Sequence, residues 1–343
     1  MRPSRLTTRR LVSVLSLLTG CLVVSMAIAL AMGSVRIPLG TILQTLFRQS
    51  APADTSVILL QVRLPRILLA ALTGAALAGA GAAFQAVLRN PLADPYILGI
   101  SGGAALGAIL STLSGGDSPL GSLLARPLFA FAGACLTVLA ILSLSRSRGV
   151  TASTPMLLIG WIFNSFFLAL ILFLETAVDF SRVRGAIFWL VGTLSPAPYP
   201  VLAGLTAAVG SGFAILWLLS RDFDLICAGE ETASLMGCNV ERTRVLAILA
   251  ASLITAAVVS FSGLIGFVGL IVPHAARFLF GPDHRLLLPA SALLGAAGLV
   301  LADAFSRTLL APTEVPVGVL TVLVGGPAFI LLYRRHRWEI SHD

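Results

Sequence analysis

Chemistry needs acids, bases, nucleophiles or metal ligands, and this chain of 343 residues holds few: 15 acidic residues, four histidines and four cysteines beside 23 basic residues. Every one of those basic residues is arginine. Without lysine there is no phosphate-binding loop of the form GxxxxGK[ST] and no Schiff-base or general-base lysine. The chain therefore has no Walker-type ATPase of its own. Cys21 and Cys135 stand in apolar runs, and Cys227 and Cys238 share a polar segment without CxxC spacing, so all four read as small packing residues. His274 and His284 have no HxxxH or Cys/His cluster around them, which leaves no metal site. No constellation of His, Asp and Glu recurs at catalytic spacing, and no cofactor is implied.

The elements that hold these residues are apolar. Hydrophobic residues make up 57% of the chain and charged residues 11%, against about 25% charged in soluble domains, and the mean hydropathy is +0.97. Too few charges remain to coat a soluble core. The net charge of +8 lies in short clusters between apolar stretches, a pattern that sets membrane topology rather than binding nucleic acid. Spans of about 20 apolar residues fit ten times, at 11–32, 64–88, 97–113, 127–145, 155–174, 200–220, 245–261, 265–280, 286–309 and 317–333. With the N-terminus inside, fifteen arginines fall on the cytoplasmic side and eight outside, as the positive-inside rule requires. The expected architecture is an all-α integral membrane protein, one domain over 1–343, with both termini cytoplasmic and an arginine-rich tail over 1–10. The first span is too long for a secretory h-region and is expected to be retained. The run 186–194, too short to cross, is expected as an interfacial helix outside the membrane.

Two polar stretches interrupt this pattern. Residues 221–244 form the longest cytoplasmic segment, with Glu230, Glu231 and Glu241 among helix formers and Gly237 as a turn or C-cap. Residues 90–95, Asn-Pro-Leu-Ala-Asp-Pro, bracket Asp94 between prolines and predict a sharp cytoplasmic turn. Glycines are dense inside the spans and read as close helix contacts, although Gly102-Gly103 beside Ser101 also suits a hinge. In the fifth span Trp161 and Asn164 share a face; an amide there lines a pathway or bonds a neighbouring helix.

The stretch Arg63-Leu64-Pro65-Arg66, then Gly74, Gln85, Arg89-Asn90-Pro91-Leu92-Ala93-Asp94-Pro95 and Leu98-Gly99-Ile100-Ser101-Gly102-Gly103 resembles the permease subunits of iron-chelate, haem and cobalamin ABC importers. The second half is similar too, in 260–274, Asp283-His284-Arg285, Leu301-Ala302-Asp303, Glu314-Val315-Pro316-Val317-Gly318 and Gly325-Gly326-Pro327. The resemblance runs from about Arg63 to the C-terminus.

It implies a type II importer permease in the bacterial cytoplasmic membrane: a homodimer around a central pathway, two cytoplasmic ATP-binding subunits, and a periplasmic or lipid-anchored binding protein delivering an iron chelate, haem or cobalamin. On the same resemblance, 221–244 is the segment that couples to the ATPase, with Glu230, Ala233, Leu235, Met236 and Gly237 at its centre. Arg63, Arg66 and Arg307 match periplasmic arginines that dock the binding protein, although Arg307 also stands at i,i+4 from Asp303. Ser153 and Thr154 match the cytoplasmic gate and equally suit a helix start before Pro155. The rival class, an ion-driven carrier, needs ionisable groups at membrane depth, and only Asp303 is expected near there.

Overall fold

The computed structural model describes residues 7–33, 37–46, 53–113, 119–147, 150–151, 153–176, 190–311 and 313–340. α1 (Thr8–Ala31) opens where the Thr7 hydroxyl accepts from Arg10 N. Two short helices follow, α2 (Leu39–Leu46) and α3 (Ala53–Val57). α3 continues through one π-helical stretch, Ile58–Arg63, into α4 (Leu64–Val87), which has Pro65 in its first turn. Then come α5 (Ile100–Leu113), α6 (Pro119–Ser145), α7 (Ser153–Thr176), α8 (Tyr199–Leu218), α9 (Ser220–Ala228), α10 (Glu230–Leu235), α11 (Val240–Ser262), α12 (Val268–Phe280), α13 (His284–Thr308) and α14 (Val317–Ile340). A two-stranded hairpin, Arg146–Ser147 with Val150–Thr151, joins α6 to α7.

Each of the ten apolar stretches holds one helix, but the helices are of two kinds. Among the described residues seven are long and apolar enough to cross a membrane. The other three, Ile100–Ser111, Val268–Phe280 and Val317–Leu331, are shorter. At 1.5 Å per residue, the 13 residues of α12 reach about 20 Å, short of a hydrocarbon core about 30 Å thick. Non-helical chain precedes each short helix. Of the run 186–194, residues 186–189 lie outside the described residues; beyond them, Gly192 O accepts from Gly318 N at 3.1 Å.

α4 is the central post. From Ala76 to Val87 every side chain is buried, as expected of a helix apolar all round, and α8, α11, α12 and α13 pack against it. Its small residues make this possible. A Cβ on Gly74 would strike Gly295 O of α13, one on Gly295 would strike Gly74 O, and one on Gly81 would strike Gly269 O of α12. α5 and α6 cross in the same way at Gly103–Gly133 and Gly107–Phe129. Gly102 packs against Asn164 within unbroken helix, so it serves contact rather than a hinge.

Four prolines lie inside helices, Pro127, Pro273, Pro289 and Pro327, and at two of them distant side chains take the carbonyl left without its usual partner. Pro273 cannot donate to Gly269 O; Gln85 Nε2 does so at 3.4 Å and reaches Leu270 O at 3.2 Å, while Arg277 donates to Gln85 Oε1 at 3.1 Å. Pro289 likewise leaves Arg285 O to Trp217 Nε1, at 3.3 Å.

Candidate functional site

The segment 221–244 holds a pair of short helices, α9 and α10, ahead of the start of α11. Gly229, at φ 137°, separates them. Gly237, at φ 85°, ends α10, with Gly237 N donating to Ser234 O and Cys238 N to Ala233 O, the bond pair of a Schellman cap. Ala233 is fully buried beneath the tip. Leu235 is 90% and Met236 67% exposed, two apolar side chains projecting from a polar segment.

The pair is tied to three helices. Asp224 Oδ1 accepts from His284 N at 3.1 Å and meets His284 Nδ1 at 2.6 Å, at the start of α13. Thr243 Oγ1 of α11 donates to Asp222 at 2.9 Å, and the buried Arg244 donates to Glu230 at 2.6 Å. Cys227 lies against Ala86 O at the end of α4. The element that carries Leu235 and Met236 is thus bonded to α11 and α13 and lies against the end of α4. Beside them Asp283 caps α13, and the Arg285 guanidinium hydrogen-bonded to it holds its carboxyl below the usual range.

At the opposite end of α4 the three arginines expected on the outer side come together, turned inward. Arg63 donates to Leu30 O at 2.6 Å. Arg307 pairs with Asp303 at 3.1 Å, the i,i+4 alternative, and donates to Ala29 O at 3.3 Å. Both guanidinium groups thus sit on the C-terminal carbonyls of α1, where donors and positive charge are favourable. Arg66 bridges Asp303 at 2.9 Å and Glu314 at 2.8 Å. Asp303 is fully buried, whereas the Glu314 side chain is 54% exposed, so Arg66 reaches from a buried partner to an exposed one.

The third polar place was not legible in the sequence. Past α4 the chain reverses at Arg89, φ 49°, and runs back beside the helix it has left. Asp94 comes to rest at the start of α12: a Cβ on Gly269 would lie 3.1 Å from Asp94 Oδ2 and 3.0 Å from Leu77 O. Leu77 is midway along α4. The prolines on either side of Asp94 make the turn, as expected, but the turn runs back into the protein to the level of mid-α4.

A family model described as the FecCD transport family matches residues 21–335. The chain belongs to the FecCD transport family. FecCD relatives include the hemin transport system permease protein HmuU of Yersinia pestis, 38% identical over 95% of this chain and 97% of that one. The cobalamin import system permease protein BtuC of Halobacterium salinarum is 43% identical over 82% and 75%. A solved metal-chelate type ABC transporter in an inward-facing conformation superposes with a TM-score of 0.79 at 32% identity, covering 94% of this chain and 99% of that one. This FecCD protein is accordingly a multi-pass membrane protein and a transport component rather than an enzyme.

Of the remaining expected FecCD residues, Asn164 packs against Gly102 across the α5–α7 contact. Trp161 is 62% exposed on the outer face of α7. Ser153 and Thr154 open α7, and their side chains lie outside the described residues.

Proposed function

We propose that this chain is the permease subunit of an ATP-driven importer for iron chelates, ferric siderophores first, with haem and cobalamin as the other cargoes of its relatives. It works as a homodimer in the bacterial cytoplasmic membrane, each copy crossing ten times with both termini inside. The three short helices count as crossings completed by non-helical chain, which is tolerated at depth where protein buries it or a cavity borders it. Two ATP-binding subunits meet the α9–α10 pair, and a periplasmic or lipid-anchored binding protein meets the outer rim.

The observation that carries this reading is the α9–α10 pair itself: an exposed Leu235–Met236 tip on a short element bonded to three helices, in a chain without a Walker lysine. The tip suits a groove in the partner, and Glu230, Ala233 and Gly237 shape it. Docking engages Arg66, which can exchange Glu314 for a carboxylate of the binding protein, while Arg63 and Arg307 brace the rim. Ser153 and Thr154 close the inner end, and Trp161 and Asn164 border the pathway between copies.

The test is reconstitution with its cognate ATP-binding and binding-protein subunits. Ferric hydroxamate uptake should require ATP, and loaded binding protein should stimulate hydrolysis; uptake that follows an ion gradient without ATP overturns the reading. In the same system, Gly237→Val should uncouple hydrolysis from uptake. No atom stands within 4 Å of a Cβ there, so the effect comes from backbone strain alone, about 1–3 kcal/mol. Gly237→Asn, which tolerates positive φ, should retain most coupling, and equal loss in both variants would remove the cap from the mechanism.

A further inference from the structure

The re-entrant turn and the start of α12 border a cavity of about 590 Å³, lined by Asp94, Tyr96, Leu264, Gly266, Phe267 and Val322 among others. Most of the lining is apolar. Among the described lining residues Asp94 is the one charged side chain, and it is only 5% exposed. Its Oδ1 accepts from Tyr96 N at 2.8 Å, the bond that forms the turn. No described residue donates to Oδ2, which faces the open chamber, and the Tyr96 hydroxyl is buried without a partner. Phe267, on the same wall, has φ 68°, a strained conformation for a bulky residue that persists only where its surroundings enforce it.

Turn formation accounts for one carboxylate oxygen and leaves the other, together with a phenol, beside an apolar chamber at the level of mid-α4. Burying such groups without partners is costly, and the cost is recovered when something with a donor or a positive charge enters. We infer that this chamber is a cargo subsite which takes an ammonium or other hydrogen-bond-donating group of a passing chelate and disfavours anionic chelates. The inference rests on the importer reading and adds the charge class of its cargo.

The test reads the chamber's charge without needing transport. Val322, 47% exposed, is changed to cysteine in the full chain after Cys21, Cys135, Cys227 and Cys238 are changed to alanine. The chain is labelled in proteoliposomes with a cationic (MTSET) or an anionic (MTSES) methanethiosulfonate, each rate normalised to a free thiol. The two reagents differ by two charges, so the cation should be favoured about tenfold or more. Asp94→Asn should abolish the preference, Asp94→Glu should keep it, and ferrioxamine B, a cationic chelate, should slow labelling more than ferric citrate. A preference that survives Asp94→Asn, or a Val322→Cys thiol unreactive until the protein is denatured, overturns the subsite. Charge-selective labelling in a protein whose uptake needs no ATP would instead overturn the importer reading and leave the subsite standing.

Discussion

Asp303→Asn is expected to destabilise the protein by about 3–5 kcal/mol, the cost of leaving a buried charge cluster without its counter-ion. The fully buried Asp303 carboxylate is shared by Arg66 at 2.9 Å and Arg307 at 3.1 Å. The amide keeps the shape and removes the charge. Arg66 retains Glu314 at the exposed rim, but Arg307 is left with backbone carbonyls of α1, so the loss should appear as detachment of α1 from α13 before global unfolding. Thermal unfolding of purified protein in detergent, with a cysteine-accessibility reporter on α1, reads both effects. Arg307→Leu combined with Asp303→Leu removes both ions and should recover a large part of the loss. An unchanged midpoint in Asp303→Asn would mean that the cluster contributes specificity without stability.

Gly81→Ala should be as damaging as an ordinary core truncation, although it adds a single methyl group. The added Cβ would overlap Gly269 O, a backbone atom that cannot turn aside, so α4 and α12 must separate along the contact that also holds Gln85 and Asp94. Overpacking costs about 1–3 kcal/mol where side chains can yield and more where they cannot. Gly298→Ala is the control. Nothing lies within 4 Å of a Cβ there, and replacing helical glycine by alanine gains up to about 1 kcal/mol. Monodisperse yield and thermal midpoint should therefore fall for Gly81→Ala and hold or rise for Gly298→Ala. Equal behaviour of the two would show that this crossing is looser than its geometry.

Much of this molecule is settled along the chain. The scarcity of charge places it in a membrane, and each of the ten apolar stretches becomes one helix, because burying a helical backbone in lipid requires only local hydrogen bonds and apolar side chains. The Gly237 cap in 221–244 is legible for the same reason, since a Schellman cap is set by residues within one turn. Hydropathy stops where depth and partners begin. Lipid and protein interior are both apolar, so the sequence does not separate the face of α4 that meets Gly295 from one that meets acyl chains. Nor does it reveal that 89–99 runs back beside α4 and carries Asp94 to the level of Leu77. Arg66 finds Asp303 and Glu314 more than 230 residues away, and Gln85 fills the place left by Pro273 on another helix. Those pairings belong to the tertiary structure alone, because a buried ion or an unpaired carbonyl is satisfied by whatever donor the packing brings within about 3 Å, and spacing along the chain carries no record of that distance.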